Sequence, residues 1–434
     1  MAQQRDRSRQ SGYRWVVFVL LATGYFLVYF HRLCPSVVAL DLMRDLSAGA
    51  ALLGWLGSAY FYPYALMQLP AGLLSDSWGP RRTITVFFLL AGAASIFFGL
   101  ALGVGWAILA RVLVGLGISM LFVPTMKVLT KWFRTDEFSR MTGILMAVGG
   151  AGALFATTPL ALLSAALGWR GSFVAIGVAT LALAVAIWFL VRNTPQEMGL
   201  PPAEEPDPTA AANAQKTPAI GLWQGVGMVL GAARFWPLAV WFFFSCGIFF
   251  SFGGLWGGPY LMHVYGLSKP QAGNVLSMLA WAMIIGSPIL SWLSDKVLRS
   301  RKKLLVSASL LLTALCALLA FWPRALGVPA MYVWCFFMSL AASAMVVIAF
   351  TSGKELFPVE IAGTSVGLVN LFPFLGGAVM QPVLGMVLEA QGRTPAGTFA
   401  PEAYGKAFLI YFFASLAALA ASLMCKETFG RRLH

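Results

Sequence analysis

Long apolar runs separated by short polar breaks recur twelve times along the chain. A helix crossing the hydrocarbon core of a bilayer needs about 20 predominantly apolar residues. The runs near 14–40, 51–75, 82–103, 106–132, 140–166 and 170–191 meet that length, as do those near 235–262, 270–294, 303–322, 328–352, 361–389 and 404–425. Between the two sets lies a polar stretch, 192–234, rich in Pro and Ala and carrying both charge signs. It reads as a cytoplasmic linker, with a surface helix predicted around Leu222–Leu230. The pattern predicts an all-α membrane protein of twelve transmembrane helices. An N-terminal six-helix bundle spans 1–191, the linker spans 192–234, and a C-terminal six-helix bundle spans 235–434.

Composition agrees with lipid as the main solvent. Only 11% of the 434 residues are charged and 59% are hydrophobic, whereas a soluble domain carries about a quarter charged residues. The polar basic N-terminus and the long apolar run behind it do not fit a cleavable signal peptide. Lys and Arg set the orientation. With both termini cytoplasmic, 22 of the 30 fall on the inner side and six outside: Arg44, Arg170, Lys269, Arg324, Arg393 and Lys406. The remaining two, Arg32 and Arg111, lie within spans. The outer loops carry no Asn-x-Ser/Thr sequon, in keeping with a bacterial inner membrane.

The net charge of +14 does not indicate a nucleic-acid partner, because it is dispersed in short clusters between apolar runs. The five cysteines fall in or at the ends of apolar segments without CxxC or CxxH spacing, and read as small buried hydrophobes. Three scattered histidines give no metal site, and no cofactor is expected.

The two halves repeat. Ser58 to Leu74-Ser75-Asp76 is matched 219 residues later by Ser277 to Leu293-Ser294-Asp295, at equal helix rank. Each copy is followed by a basic cluster (Arg81 and Arg82; Arg299, Arg301, Lys302 and Lys303) and a new apolar helix. Parallel halves of this kind mark many secondary transporters.

Gly72-Leu-Leu-Ser-Asp76-Ser-Trp-Gly79-Pro-Arg81-Arg82 resembles the signature between helices 2 and 3 of the major facilitator superfamily, and the stretch from Asp295 to Lys303 resembles its second copy. Arg111, Gly115 and Gly117 look like the helix-4 motif, and Gly168-Trp169-Arg170 is similar to the turn before helix 6. The resemblance implies the major facilitator fold, two pseudo-symmetric bundles, and a cytoplasmic gating latch built from Asp76, Arg81, Arg82, Asp295 and Arg301. Gly24 to Arg32, followed by Leu66 to Gly72, looks like the anion:cation symporters and organophosphate antiporters, whose resemblance implies a substrate-binding arginine at Arg32. Pro124-Thr-Met-Lys127 with Lys131-Trp132-Phe133 resembles the end of helix 4 in the symporters. The chain departs from both branches. His31 and Ser119 stand where the symporters carry acids, and a second antiporter arginine would fall near Phe250.

An intramembrane charge costs roughly 2.5–3.5 kcal/mol on insertion scales and needs a reason. Arg32 shares a helix face with Tyr25, Tyr29 and Ser36, a polar stripe suited to a cavity wall. Tyr60 and Tyr64 share a face of helix 2, and Trp256 is offered by helix 7. Helix 11 aligns Asn370, Phe374, Gly377 and Gln381, and a buried amide must find a partner. The candidate substrate contacts are therefore Arg32, Tyr29, Tyr25, Tyr60, Tyr64, Asn370, Gln381 and Trp256. His31 is the proton-coupling candidate, because imidazole changes charge near neutral pH. Arg111 is assigned equally to packing and to cargo, and Lys127 to snorkelling.

No nucleophile–base pair, paired carboxylates or phosphate-binding loop appears, so an enzyme is not expected. The reading is a secondary active transporter, monomeric, that moves a small organic anion by alternating access with protons. One central arginine fits a monocarboxylate. Transport of an amino acid or neutral solute, drug export by antiport, and non-transporting solute sensing are the alternatives on the same fold.

Overall fold

A computed structural model describes residues 2–203, 222–342 and 346–429. Among them, ten helices are long and apolar enough to cross a membrane. They cover every predicted run except the second and the tenth. Linker residues 204–221 lie outside the described set.

The first half comprises α1 (Ala2–Leu33), α2 (Pro35–Asp45), α3 (Ala50–Ser58), α4 (Phe61–Leu66), α5 (Gln68–Ser77), α6 (Pro80–Gly99), α7 (Val104–Ser119), α8 (Phe122–Trp132), α9 (Thr135–Phe155) and α10 (Thr158–Leu190). The N-terminal residues expected as a polar tail are helical from Ala2. No proline interrupts them, and extending a helix already nucleated by a span costs little.

The linker helix is α11 (Leu222–Gly231), where the sequence placed one. The second half runs α12 (Trp236–Ser251), a widened turn to Trp256, α13 (Gly257–Tyr265), α14 (Lys269–Trp292), α15 (Arg301–Phe321), α16 (Val328–Ala342), α17 (Val346–Glu355), α18 (Val359–Val369), α19 (Leu371–Ala390) and α20 (Pro401–Met424).

Prolines explain where the runs are broken. A proline has no N–H for the carbonyl four residues before it. The second run is interrupted at Ala59–Tyr60 and at Met67, beside the carbonyls that Pro63 and Pro70 leave free. Pro35 ends α1, Pro124 follows the α7–α8 break, and Pro373 follows the break at Asn370. The predicted fifth and sixth runs are separated at Gly168, whose φ of 69° reverses the chain inside α10.

The helices pack in two sets. In the first, α6 lies against α7 and α10, α1 against α9, and α4 against α7; in the second, α12 lies against α19 and α20, and α14 against α16. The sets meet where α3 and α4 face α19, and where α9 and α10 face α14.

The seam is tight at the end away from the termini. A Cβ on Gly258 would lie 1.9 Å from the Ser36 carbonyl, and one on Gly385 would lie 2.4 Å from that of Ala50. Glycine at these points lets the backbones touch. Lys269 pairs with Asp41 across the seam, and the Glu389 carboxylate accepts the Ala51 N–H at 2.7 Å, at the first turn of α3. The Gly258 N–H donates to Ser36 Oγ at 3.0 Å. At the same end Trp169 Nε1 donates to Asp45 at 2.8 Å and Arg170 donates to the Ala101 carbonyl at 2.7 Å. The Asp45 carboxyl is held below its usual range, first by the hydrogen bond from Arg44 and then by Trp169. At the terminal end, by contrast, a Cβ on Gly72 or Gly143 would meet nothing within 4 Å.

Close backbone approach also holds each set together: a Cβ on Gly152 would sit 2.0 Å from the Phe26 carbonyl. Gly152→Ala forces α9 off α1, so thermal unfolding in detergent is expected to show a loss of about 1–3 kcal/mol. An unchanged midpoint would mean that this contact is slack.

Candidate functional site

Between the two sets lies a cavity of about 100 Å³. Its wall includes Arg32, Tyr25 and Tyr29 from α1, Tyr64 from α4, Phe122 from α8, Cys246 and Phe250 from α12, and Asn370, Pro373 and Phe374 at the α18–α19 break. A wider cavity of about 330 Å³ adjoins it on the terminal side, lined by Gln68, Gly72, Asp76, Thr364 and Gly367. The two share Phe122 and Asn370.

Arg32 dominates the smaller chamber. It is buried, and its guanidinium carbon lies 4.6 Å from the ring centre of Tyr29, 4.9 Å from Phe374, 5.0 Å from Tyr64 and 5.5 Å from Phe250. Desolvated cation–π contacts of this kind are worth up to about 2 kcal/mol each, which offsets part of the cost of burying the charge. The neutral hydroxyls of Tyr60 and Tyr64 stand in hydrogen-bonding reach of the guanidinium, and Nε has no hydrogen-bond partner. Among the described residues no carboxylate lies within ion-pair distance of Arg32. Asp41, the alternative partner one loop away, is taken by Lys269 and Arg44. The chamber thus holds one cation and no protein counter-charge.

Arg111 is buried equally deeply but is used differently. Its Nη1 donates to the His31 carbonyl at 3.0 Å, and its guanidinium lies over the Tyr60 ring at 5.0 Å. That carbonyl is the one Pro35 leaves without a helical donor. One Arg111 N–H therefore fills a proline gap, away from the chamber wall, while its Nε and Nη2 have no hydrogen-bond partner. His31 packs beside it, buried and edge-on to Phe30, with neither ring nitrogen hydrogen-bonded. His31 is not part of the chamber lining.

Five of the eight residues expected at the substrate site, Arg32, Tyr25, Tyr29, Tyr64 and Asn370, meet at the chamber. The other three do not. Tyr60 stacks on Tyr64 with centroids 5.6 Å apart and stands between the two arginines, its ring under Arg111 and its hydroxyl in reach of Arg32, outside the chamber lining. Trp256 Nε1 donates to the Gln381 carbonyl at 2.9 Å, and Gln381 Nε2 donates to the Phe250 carbonyl at 2.9 Å. Both are locked into the closed seam. Ser36 is spent there too, on the Gly258 N–H.

Phe122 and Cys246 were not expected at the site and are unremarkable in sequence, whereas Phe250 stands near the position of the second antiporter arginine and lies 5.5 Å from the Arg32 guanidinium. Gln68 is likewise new. Its Nε2 donates to the Tyr64 carbonyl at 3.0 Å and its Oε1 accepts from Asn370 Nδ2 at 2.7 Å.

The expected latch residues lie at the terminal end. Asp76 pairs with Lys127 of α8, whose Nζ also donates to the Gly72 carbonyl at 3.1 Å. Arg81 lies over Trp188, 5.0 Å from the ring centre, and its backbone N–H donates to Asn193. Arg82 is exposed. In the repeat, Arg301 pairs with Asp295 and reaches Glu355 at 3.7 Å. Each of these ion pairs stays within its own set.

A family model described as Major Facilitator Superfamily matches residues 21–381 and 242–428. Among curated relatives, the protein named "Probable sulfoacetate transporter SauU" of Cupriavidus necator is 24% identical over 87% of this chain and 88% of its own length. A "Probable hexose phosphate transport protein" of Chlamydia pneumoniae is 23% identical over 90% of this chain and 88% of its own. Among solved structures, a D-xylose-proton symporter superposes with a TM-score of 0.74 at 16% identity, covering 97% of this chain and 100% of that one.

The two buried arginines should separate by experiment. Arg111→Ala leaves the His31 carbonyl with only the weak Cys34 thiol donor and is expected to cost about 1–3 kcal/mol of stability. Arg32→Ala removes an uncompensated charge, so its thermal midpoint should equal or exceed that of the parent. A large loss in Arg32→Ala would show that the guanidinium has a structural partner.

Proposed function

The chain belongs to the Major Facilitator Superfamily, and on that premise we propose that it is a secondary active transporter of a small organic anion, held by Arg32. The observation that carries the reading is the buried guanidinium in an aromatic chamber with no carboxylate of the described residues in ion-pair reach. An anion completes the ion pair that the protein leaves open. A single cation favours one dominant charge, as on a carboxylate or sulfonate. The chamber volume, about three waters' share of the liquid, favours a compact cargo. The names of the curated relatives, which refer to a sulfonated and a phosphorylated anion, support the same class.

The proposal includes the architecture expected from sequence: twelve spans in two six-helix bundles, 1–191 and 235–434, joined by the linker 192–234, in a bacterial inner membrane with both termini inside. In that orientation the described conformation is closed outside, with the wider cavity on the cytoplasmic side of the chamber, and a monomer contains the whole pathway. Alternating access then requires the outer seam to part while Asp76, Arg81, Arg82, Asp295 and Arg301 change partners at the inner end.

Opening outside must release Asp41 from Lys269 and Glu389 from the Ala51 N–H. Protonating a carboxylate weakens such contacts, so these two groups are assigned to proton coupling. His31, placed behind the chamber wall, is given a packing role instead.

The test begins with thermal shifts of detergent-purified protein against carboxylates, sulfonates, amino acids, sugars and phosphate esters. A cargo present at 100 times its Kd stabilises by about 2.7 kcal/mol. We expect compact monoanions to do so, and Arg32→Ala to abolish the effect. In proteoliposomes the same anion should accumulate under an inward proton gradient, and Asp41→Asn should leave exchange intact while removing the gradient dependence. Stabilisation that survives Arg32→Ala, or preference for an uncharged solute, would overturn the anion assignment.

A further inference from the structure

We propose that Gln68 is a positioning residue that closes the cargo chamber on its cytoplasmic side, through a clasp to Asn370. The inference rests on reading the cavity at Arg32 as the chamber, and assigns a role to a residue outside it. Three observations carry it. First, Gln68 and Asn370 belong to opposite sets, yet their amides meet at 2.7 Å on the side where the backbones otherwise stand apart. Second, both stand at helix interruptions: Gln68 opens α5 just past the break at Met67, and Asn370 occupies the joint between α18 and α19. Third, Asn370 lines both cavities while Gln68 lines the wider one, so the bonded pair stands at the partition.

The chemistry suits a gate. A neutral amide pair is worth little net free energy, so it can break and reform during each cycle. Proline-weakened joints on either side let α5 and α18 swing without disturbing α4 and α19, which hold Tyr64 and Phe374 against Arg32. Gln68 is also tied to the chamber wall, because its Nε2 is bonded to the Tyr64 carbonyl. Opening the clasp frees Asn370 to face the cargo, which gives one amide two successive partners.

Cys246 provides a native reporter. It lines the chamber, and all five cysteines are free and buried. The full-length protein is treated with a small uncharged methanethiosulfonate, and peptide mass spectrometry follows Cys246 alone. Gln68→Ala and Asn370→Ala should each raise its labelling rate about three- to tenfold, as loss of one hydrogen bond allows. The exchanged pair Gln68→Asn with Asn370→Gln, which keeps an amide on each side, should label within about twofold of the parent. Unchanged rates in both alanine variants would overturn the clasp. So would faster labelling in the alanine variants that the exchanged pair does not reverse, because packing rather than the amide bond would then be closing the chamber. If one alanine variant does not fold, the other and the exchanged pair decide. Labelling needs no cargo, so it reads the clasp whether or not Arg32 binds an anion.

Discussion

A guanidinium buried among aromatic rings, with no carboxylate of the described residues paired to it, is the constraint on which the rest of this molecule turns. Arg32 sits within 5.5 Å of four ring centres, and the carboxylate nearest to it in sequence, Asp41, is held by Lys269. Ring quadrupoles lower the cost of the charge without neutralising it. A buried cation in this condition is a standing demand for an anion, and the sets of helices around it provide a chamber in which one can be met and then released. Arg111 shows the other use of the same side chain. Its Nη1 is committed to a backbone carbonyl, while its Nε and Nη2 have no hydrogen-bond partner, and it stands outside the chamber lining.

Backbone satisfaction shapes the route to that chamber. In lipid, every carbonyl that a proline orphans must find a donor within the protein. Arg111 serves the carbonyl freed by Pro35, and the Tyr62 hydroxyl, 3.2 Å away, serves the Ala378 carbonyl freed by Pro382. The second contact crosses between sets, so a proline in one half is satisfied by a tyrosine from the other only while the seam is closed. Glycines at Gly258 and Gly385 bring backbones together at the outer end. Prolines around Met67 and Asn370 loosen the inner end. The asymmetry between a dry outer seam and a hinged inner one follows from where these two residue types fall.

Much of this was legible in the sequence, and the misses have physical causes. Hydrophobic run length located the ten spans found among the described residues, and helical spacing put Tyr25 and Tyr29 beside Arg32, because α1 is unbroken through that stretch. Spacing succeeded on α19 for face but not for depth. Asn370 and Phe374 reach the chamber, while Gln381, farther along the same stripe, lies in the closed seam. Tyr60 stands at the interruption before α4, so it lies outside the chamber lining, its ring under Arg111 and its hydroxyl in reach of Arg32. The partners of Asp76 could not be read from its neighbours, because Gly79 at φ 82° turns Arg81 toward Trp188 and leaves Lys127 closest. Gln68 carried a usable signal, an amide between two prolines in an apolar run, but its partner lies 302 residues away. The role of Arg111 was hidden for want of one observation, that Pro35 stands four residues after His31.

The central claim, that Arg32 makes the chamber selective for anions, is tested most directly at Cys246 with two methanethiosulfonates of similar size, one carrying a sulfonate and one a quaternary ammonium. Both react with the same thiolate, so their rate ratio cancels its reactivity and reads the chamber's electrostatics. At an effective dielectric near 20, a charge several ångströms away is worth a few kcal/mol, so the ratio should favour the sulfonate by at least about tenfold. It should fall close to unity in Arg32→Gln. A ratio near one in the parent protein, or one that the substitution leaves unchanged, would contradict the account.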